Sequence, residues 1–285
     1  MTSPAGGAAG FVLGPAILFV PADRPERFAK AADRADAVII DLEDAVAPAD
    51  KERAREALRA SDLDPTRTIV RVNARGTADH ALDVAAVSAT GYRILMLPKA
   101  ERAADVAALA ADLPSSTGST IIALVETAAG VLAAEKLAAE PSVVALMWGA
   151  EDLVASLGGT SSRGPDGRYR DVARHARARV LLAAGGHGKA AIDAVHLDIA
   201  DLAGLELEAR DAVAHGFVAT ACIHPGQVET IRAAYRPSAE EVAWARSLLE
   251  AASAAGATGV FAHEGRMVDE PVLRHARRVL QRAGE

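Results

Sequence analysis

Glu126 and Asp152 are the residues whose types and spacing most directly permit chemistry. Glu126 ends the apolar run Ile121-Ile-Ala-Leu-Val125, and Asp152 lies just past Val143-Val-Ala-Leu-Met147. Short, continuously apolar runs of this kind form strands covered on both faces. Adjacent strands lie about 4.8 Å apart, so carboxylates at two neighbouring ends can share one cation. Oxygen ligands with no nearby Cys or His pattern favour a hard ion, Mg²⁺ first and Mn²⁺ second. Two solvated loop acids are the alternative.

Arg71 ends a third run, Thr68-Ile-Val-Arg71. Its guanidinium can clamp a substrate carboxylate with two parallel hydrogen bonds, or pair with the acids Asp41, Glu43 and Asp44. Gly149 and Ala150 can offer backbone N–H groups to a carboxylate or an oxyanion. Arg24, Arg27 and Lys30 can reach a nucleotide phosphate, or simply form a solvated helix face. Elsewhere the chemistry is thin. Gly185-Gly-His-Gly-Lys189 has its leading Gly misplaced and Ala190 where a P-loop needs Ser or Thr. His175, His187 and His196 lack ligand spacing. Cys222 reads as a small buried hydrophobe, and His224 stands at the mouth of a strand.

Strands are expected at 17–21, 37–41, 68–72, 93–97, 121–125, 143–147, 191–197 and 218–223. Helices are expected at 25–35, 49–60, 103–111, 129–139, 169–184 and 202–215. Alternating strands and helices imply a parallel sheet with right-handed crossovers, and eight such units close an α/β TIM barrel. An open doubly wound sheet is the alternative, but no Gly-rich dinucleotide fingerprint follows the first strand. The strand ends, read in order, carry Asp23-Arg24, Asp41 to Asp44, Arg71, Lys99, Glu126, Asp152, Asp198 and His224. In a barrel these ends converge on one face, where active sites sit. Residues 1–15 read as a disordered tail and 16–236 as the barrel. Residues 237–285 read as a helical extension, with helices at 238–255 and 272–283 around a long loop, 256–271.

A net charge of −7 argues against nucleic-acid binding, which needs a basic footprint. Aromatics are only 4%, so the core must be built from Ala, Val, Leu and Ile. One cysteine suits a reducing compartment. No signal peptide and no apolar run long enough to span a membrane is evident, so a cytoplasmic location is expected.

Several ordered segments resemble the citrate lyase β-subunit-like group of the HpcH/HpaI aldolase superfamily. They are Leu18 to Phe28, Ile40-Asp-Leu-Glu-Asp-Ala-Val46, Arg71-Val-Asn73, Leu97-Pro-Lys99, Val125-Glu-Thr-Ala-Ala-Gly130, Trp148-Gly-Ala-Glu-Asp-Leu153, Cys222-Ile-His-Pro225 and Gly265-Arg-Met-Val-Asp269. Within it the chain is most similar to stand-alone actinobacterial lyases of citramalyl-CoA and malyl-CoA type. The resemblance implies a barrel enzyme that cleaves (3S)-citramalyl-CoA to pyruvate and acetyl-CoA, assembled as a homotrimer or dimer of trimers. It makes Glu126 and Asp152 the Mg²⁺ ligands and Arg71 the keto-acid-binding arginine. It places Phe19, Val20, Arg24, Lys30, Ile223 and His224 against coenzyme A. It gives Asp269 an acid/base role, delivered to a neighbouring subunit. Ala129 stands where many citrate-lyase-like members carry Arg, which leaves substrate choice within the group open. A malyl-CoA thioesterase and a citrate lyase β subunit acting on an acyl-carrier-protein thioester are the alternatives.

Overall fold

The computed structural model describes residues 11, 13–113, 118–254 and 259–284. The chain forms two compact units, which divide between Ile231 and Arg232. In the first, eight parallel strands close in sequence order: β1 (Ala16–Pro21), β2 (Ala37–Asp41), β3 (Thr68–Arg71), β4 (Ile94–Leu97), β5 (Thr120–Val125), β6 (Val143–Trp148), β7 (Ala190–Asp193) and β8 (Ala219–Cys222). The pairing of Ile17 with Ala221 and Leu18 with Cys222 completes the ring and rules out an open sheet.

The crossovers carry α1 (Phe28–Arg34), α2 (Lys51–Arg59), α3 (Ala78–Ser88), α4 (Ala103–Ala111), α5 (Ala128–Ala138), α6 (Ala150–Ser156), α7 (Asp171–Gly186) and α8 (Leu202–His215). After β8 comes α9 (Val228–Tyr235). No helix among the described residues is long and apolar enough to cross a membrane.

The period of two along each strand decides what faces the barrel interior. Ile39, Ile69, Ile122, Leu124, Ala145, Met147 and Ile192 point inward and fill it as one apolar cluster. Leu13, within the expected tail, is buried in that cluster, while residues 1–10 and 12 of the tail lie outside the described residues. Two residues further along the same strands stand Asp41, Arg71, Glu126, Gly149 and Ala194, all lining an open cleft at the C-terminal face. The polar face of the barrel is therefore the next layer of the same inward side.

The second unit contains α10 (Ala239–Ala254), the antiparallel hairpin β9 (Phe261–His263) and β10 (Arg266–Val268), and α11 (Glu270–Ala283). Its own core gathers Ala245, Leu248, Val268, Leu273, Ala276 and Val279.

Several elements depart from expectation. Strand β7 stops at Asp193 rather than residue 197, because the Asp193 carboxylate takes the Ala194 N–H that would have continued the ladder. The Asp198 expected at a strand end instead caps a turn, accepting from the Ala200 N–H. Helices α3, α6 and α9 were not foreseen, and the 256–271 segment contains a hairpin as well as loop. At that hairpin's tip Glu264 and Gly265 both have positive φ (50° and 76°), as a tight two-residue turn requires.

Candidate active site

The cleft encloses about 250 Å³. Asp41, Asp44, Arg71, Glu126 and Asp152 form one side, and Leu124, Met147, Trp148, Ala194 and Val195 the other.

Asp41 and Arg71 are register partners at the ends of β2 and β3. Arg71 Nε donates to Asp41 Oδ1 at 2.7 Å and Nη2 to Oδ2 at 2.6 Å. The remaining arm, Nη1, lies 3.0 Å from Glu43 Oε2, and the guanidinium stacks over the Phe19 ring. Of the two roles foreseen for Arg71, this is the pairing with the acids; the guanidinium they hold also lines the cleft. Burial works against its charge, but Asp41 and Glu43 keep the guanidinium charged well above its ordinary range.

Glu126 follows β5 and is 3% exposed. Its Oε1 accepts the Lys99 backbone N–H at 3.0 Å. Burial, then the charges of Asp152 and Glu43, push its carboxyl up to about 8, against the pull of Lys99 and Arg71. Asp152 lies in the first turn of α6 and its side chain is 39% exposed. Among the described residues, the carboxylates of Asp41, Glu43, Asp44, Glu126 and Asp152 cluster around the cations Arg71 and Lys99. A carboxyl raised by burial first and by acidic neighbours second is one whose charged form a cation would stabilise.

Among the described residues, no group of three or more His, Cys, Asp or Glu is arranged to hold a metal. A cation at Glu126 and Asp152 would therefore complete its shell with water and ligand oxygens, the habit of Mg²⁺. The donor set fits that ion.

Gly149 and Ala150 have different positions from the expected pair of donors. The Gly149 N–H is taken up by Val125 O at 3.2 Å. The role of Gly149 is to let the chain pass close to Glu126, since a Cβ there would sit 2.9 Å from Glu126 Oε2. Ala150 begins α6, whose first-turn N–H groups have no acceptor within the helix and open beside the cleft.

The residues matched to coenzyme A separate into two groups. Phe19 and Ile223 line the cleft. Val20 is buried within β1, Arg24 is exposed beside Asp23, and Lys30 is exposed on α1. His224 caps the turn after β8, its Nδ1 accepting from the Gly226 N–H at 3.1 Å. Asp269 lies in the second unit, where it is half-buried and caps α11 by accepting from the Val272 N–H at 3.3 Å.

Lys99 and Asp193 were named in no role. Lys99 holds Glu43, Asp44 and Asp152 together from a left-handed backbone conformation. The signal was present, since Lys99 ends the β4 run, but side-chain pairing across three strands is not written in local spacing. Asp193 accepts from Trp148 Nε1 at 2.5 Å and from Arg177, and so fixes one wall of the cleft.

A closed parallel barrel with an acidic, arginine-bearing cleft at its C-terminal face defines a TIM-barrel enzyme. The chain belongs to the HpcH/HpaI aldolase/citrate lyase family, whose model matches residues 16–225. A second model, for the carbon–carbon bond lyases of the TIM-barrel fold, matches residues 167–284. The citrate lyase subunit beta-like protein of Mycobacterium tuberculosis (strain H37Rv) is 59% identical over 272 residues, covering 95% of this chain and 96% of that one. Human mitochondrial citramalyl-CoA lyase is 32% identical over 286 residues, covering 92% and 83%. The crystal structure of M. tuberculosis CitE in complex with magnesium, acetoacetate and coenzyme A superimposes with a TM-score of 0.88 at 58% identity. It covers 96% of this chain and 99% of that one.

Proposed function

We propose that the chain is a Mg²⁺-dependent β-hydroxyacyl-CoA lyase that cleaves (3S)-citramalyl-CoA to pyruvate and acetyl-CoA, and malyl-CoA-type substrates by the same route. The observation that carries this reading is the desolvated Glu126 carboxyl, short of positive charge, beside Asp152 and Arg71. It is supported by the magnesium, acetoacetate and coenzyme A held in the M. tuberculosis structure.

Glu126 and Asp152 would hold the ion, which supplies Lewis-acid polarisation of the hydroxy-acid oxygens. Arg71, braced by Asp41, binds the substrate carboxylate, assisted by the first-turn N–H groups of α6. The apolar wall of Leu124, Met147 and Ala194 excludes water from the bond that breaks. In cleavage the hydroxyl loses its proton and becomes the keto carbonyl of pyruvate. The electron pair of the carbon–carbon bond passes to the thioester α-carbon, which takes a proton from Asp269. The hydroxyl proton passes to solvent and solvent returns one to the Asp269 carboxylate, so the net change is one proton moved from the hydroxyl to the α-carbon.

Phe19 and Ile223 would flank the pantetheine arm at the cleft, with Val20, Arg24, Lys30 and His224 further along the coenzyme. Assembly as a homotrimer or dimer of trimers in the cytoplasm completes the reading, each Asp269 serving a neighbouring subunit.

The test is a product analysis by mass with citramalyl-CoA, malyl-CoA and free citramalate, in Mg²⁺ and in EDTA. Pyruvate and acetyl-CoA formed only with metal support the proposal. Free CoA without keto acid would make the chain a thioesterase instead. Inactive Asp269→Asn subunits mixed with inactive Arg71→Ala subunits should regain activity, and no recovery would remove the shared-site assignment.

A further inference from the structure

Glu43 is 5% exposed, and each of its carboxylate oxygens is met by a cation. Lys99 Nζ lies 2.6 Å from Oε1, and Arg71 Nη1 lies 3.0 Å from Oε2. The same ammonium stands 3.4 Å from Asp44 Oδ2 and 3.6 Å from Asp152 Oδ1. The Lys99 backbone has a φ of 49°, uncommon for a side chain other than Gly, and its N–H donates to Glu126 Oε1. One residue in a costly conformation thus touches both acids assigned to the ion and two, Glu43 and Asp44, that are not.

We propose that Lys99, with Arg71, keeps Glu43 out of the cation's coordination shell. This rests on the metal reading above. A small octahedral ion has six positions, and a hydroxy-acid needs two adjacent ones. A third carboxylate would occupy one of them and repel the anionic substrate. An ammonium cannot coordinate a cation, so Lys99 restrains Glu43 without competing for the ion as a ligand. Its left-handed backbone brings N–H and side chain to the same spot, so the carboxylate that binds the ion and the one held away from it are fixed by one residue. Lys99 is therefore a positioning residue that keeps the site two-carboxylate and open.

The test is Mn²⁺ titration of the metal-free protein, with free ion followed by electron paramagnetic resonance, beside steady-state kinetics on citramalyl-CoA. Lys99→Met should tighten Mn²⁺ binding about tenfold as Glu43 joins the shell, while KM rises by a similar factor. The double variant Lys99→Met/Glu43→Gln should return Mn²⁺ affinity to that of the wild type. A merely structural lysine would weaken metal and substrate together. Unchanged or weaker Mn²⁺ binding in a folded Lys99→Met protein overturns the proposal. Glu43→Gln alone decides it if Lys99→Met does not fold. Unaltered Mn²⁺ affinity supports the proposal, and a tenfold loss shows Glu43 already to be a ligand. A wild-type protein that binds no Mn²⁺ would instead remove the metal reading itself.

Discussion

A Cβ placed on Gly149 would lie 2.9 Å from both Cβ and Oε2 of Glu126, so the backbone after β6 runs flush against the buried carboxylate. Gly149→Ala must move either that carboxylate or the main chain leading to Asp152. Overpacking of this kind costs about 1–3 kcal/mol. Displacing a ligand by about 1 Å can cost on the order of a hundredfold in rate. The expected outcome is a modest fall in melting temperature with a large loss of Mg²⁺-dependent turnover. Metal titration and calorimetry check it, and a variant with ordinary Mg²⁺ affinity would show the approach to be slack.

The Glu126 carboxyl sets a pH dependence whose sign is opposite to that of a paired acid. In the folded protein it releases its proton near 8, against an ordinary value of 4.5. Below 4.5 both states hold the proton and the group contributes nothing. Between about 4.5 and 8 the unfolded chain has released it and the folded chain has not. Stability therefore falls with rising pH, by on the order of 1.4 kcal/mol per unit at most. Glu126→Gln should be more stable than the wild type at pH 8 in metal-free buffer and equal to it near pH 4.5, as denaturation curves would show. Metal binding must displace the proton, so Mg²⁺ affinity should rise about tenfold per pH unit up to about 8 and then level off.

Much of this site was legible because barrel chemistry follows from strand periodicity. Ile122 and Leu124 fill the interior, and Glu126 is the next residue on the same side. The same step of two leads from Ile39 to Asp41 and from Ile69 to Arg71. What spacing could not supply is contact between strands far apart in sequence. The salt bridge from Lys99 to Glu43 joins the ends of β4 and β2, and depends on a backbone conformation no local pattern announces. Helix α3 was missed for a similar reason. It carries His80 and Asp83, both buried, where a sequence reader expects solvent. Only the fold reveals that Asp83 is matched by Arg55 and Asn73. The strand expected to run past Asp193 stops there because the Asp193 carboxylate accepts the Ala194 N–H, a side-chain contact that periodicity does not show.

Arg71 and Asp41 separate structure from function. Their side chains are 11% and 1% exposed, so removing the guanidinium strands a buried carboxylate. Arg71→Ala should lose about 3–5 kcal/mol together with activity. Replacing the pair by apolar residues, Arg71→Met with Asp41→Leu, should recover part of that stability and none of the turnover, because Asp41 also accepts the Glu43 and Ala45 N–H groups and Arg71 also pairs with Glu43. Denaturant titration beside the citramalyl-CoA assay distinguishes the two effects. Restored activity in the double variant would show that Arg71 braces the barrel and binds no substrate.

Asp193 is tested through the wall it supports. It accepts from Trp148 Nε1 at 2.5 Å and from Arg177 Nη2 at 2.8 Å, and its side chain is only 7% exposed. Asp193→Ala leaves the indole N–H and a largely buried guanidinium without that acceptor, although Arg177 keeps Asp211 on its Nη1. Loss of such a buried partner costs about 3 kcal/mol. Because Trp148 lines the cleft and Asp193 does not, the kinetic effect should fall on KM for the acyl-CoA more than on kcat. Asp193→Asn preserves an acceptor for the indole and should recover part of both losses. Tryptophan fluorescence, with Trp244→Phe in the background to isolate Trp148, reads the wall directly. An emission spectrum unchanged by Asp193→Ala would mean that packing against Tyr169, whose ring stands edge-on at 5.1 Å, holds Trp148 without help from the carboxylate.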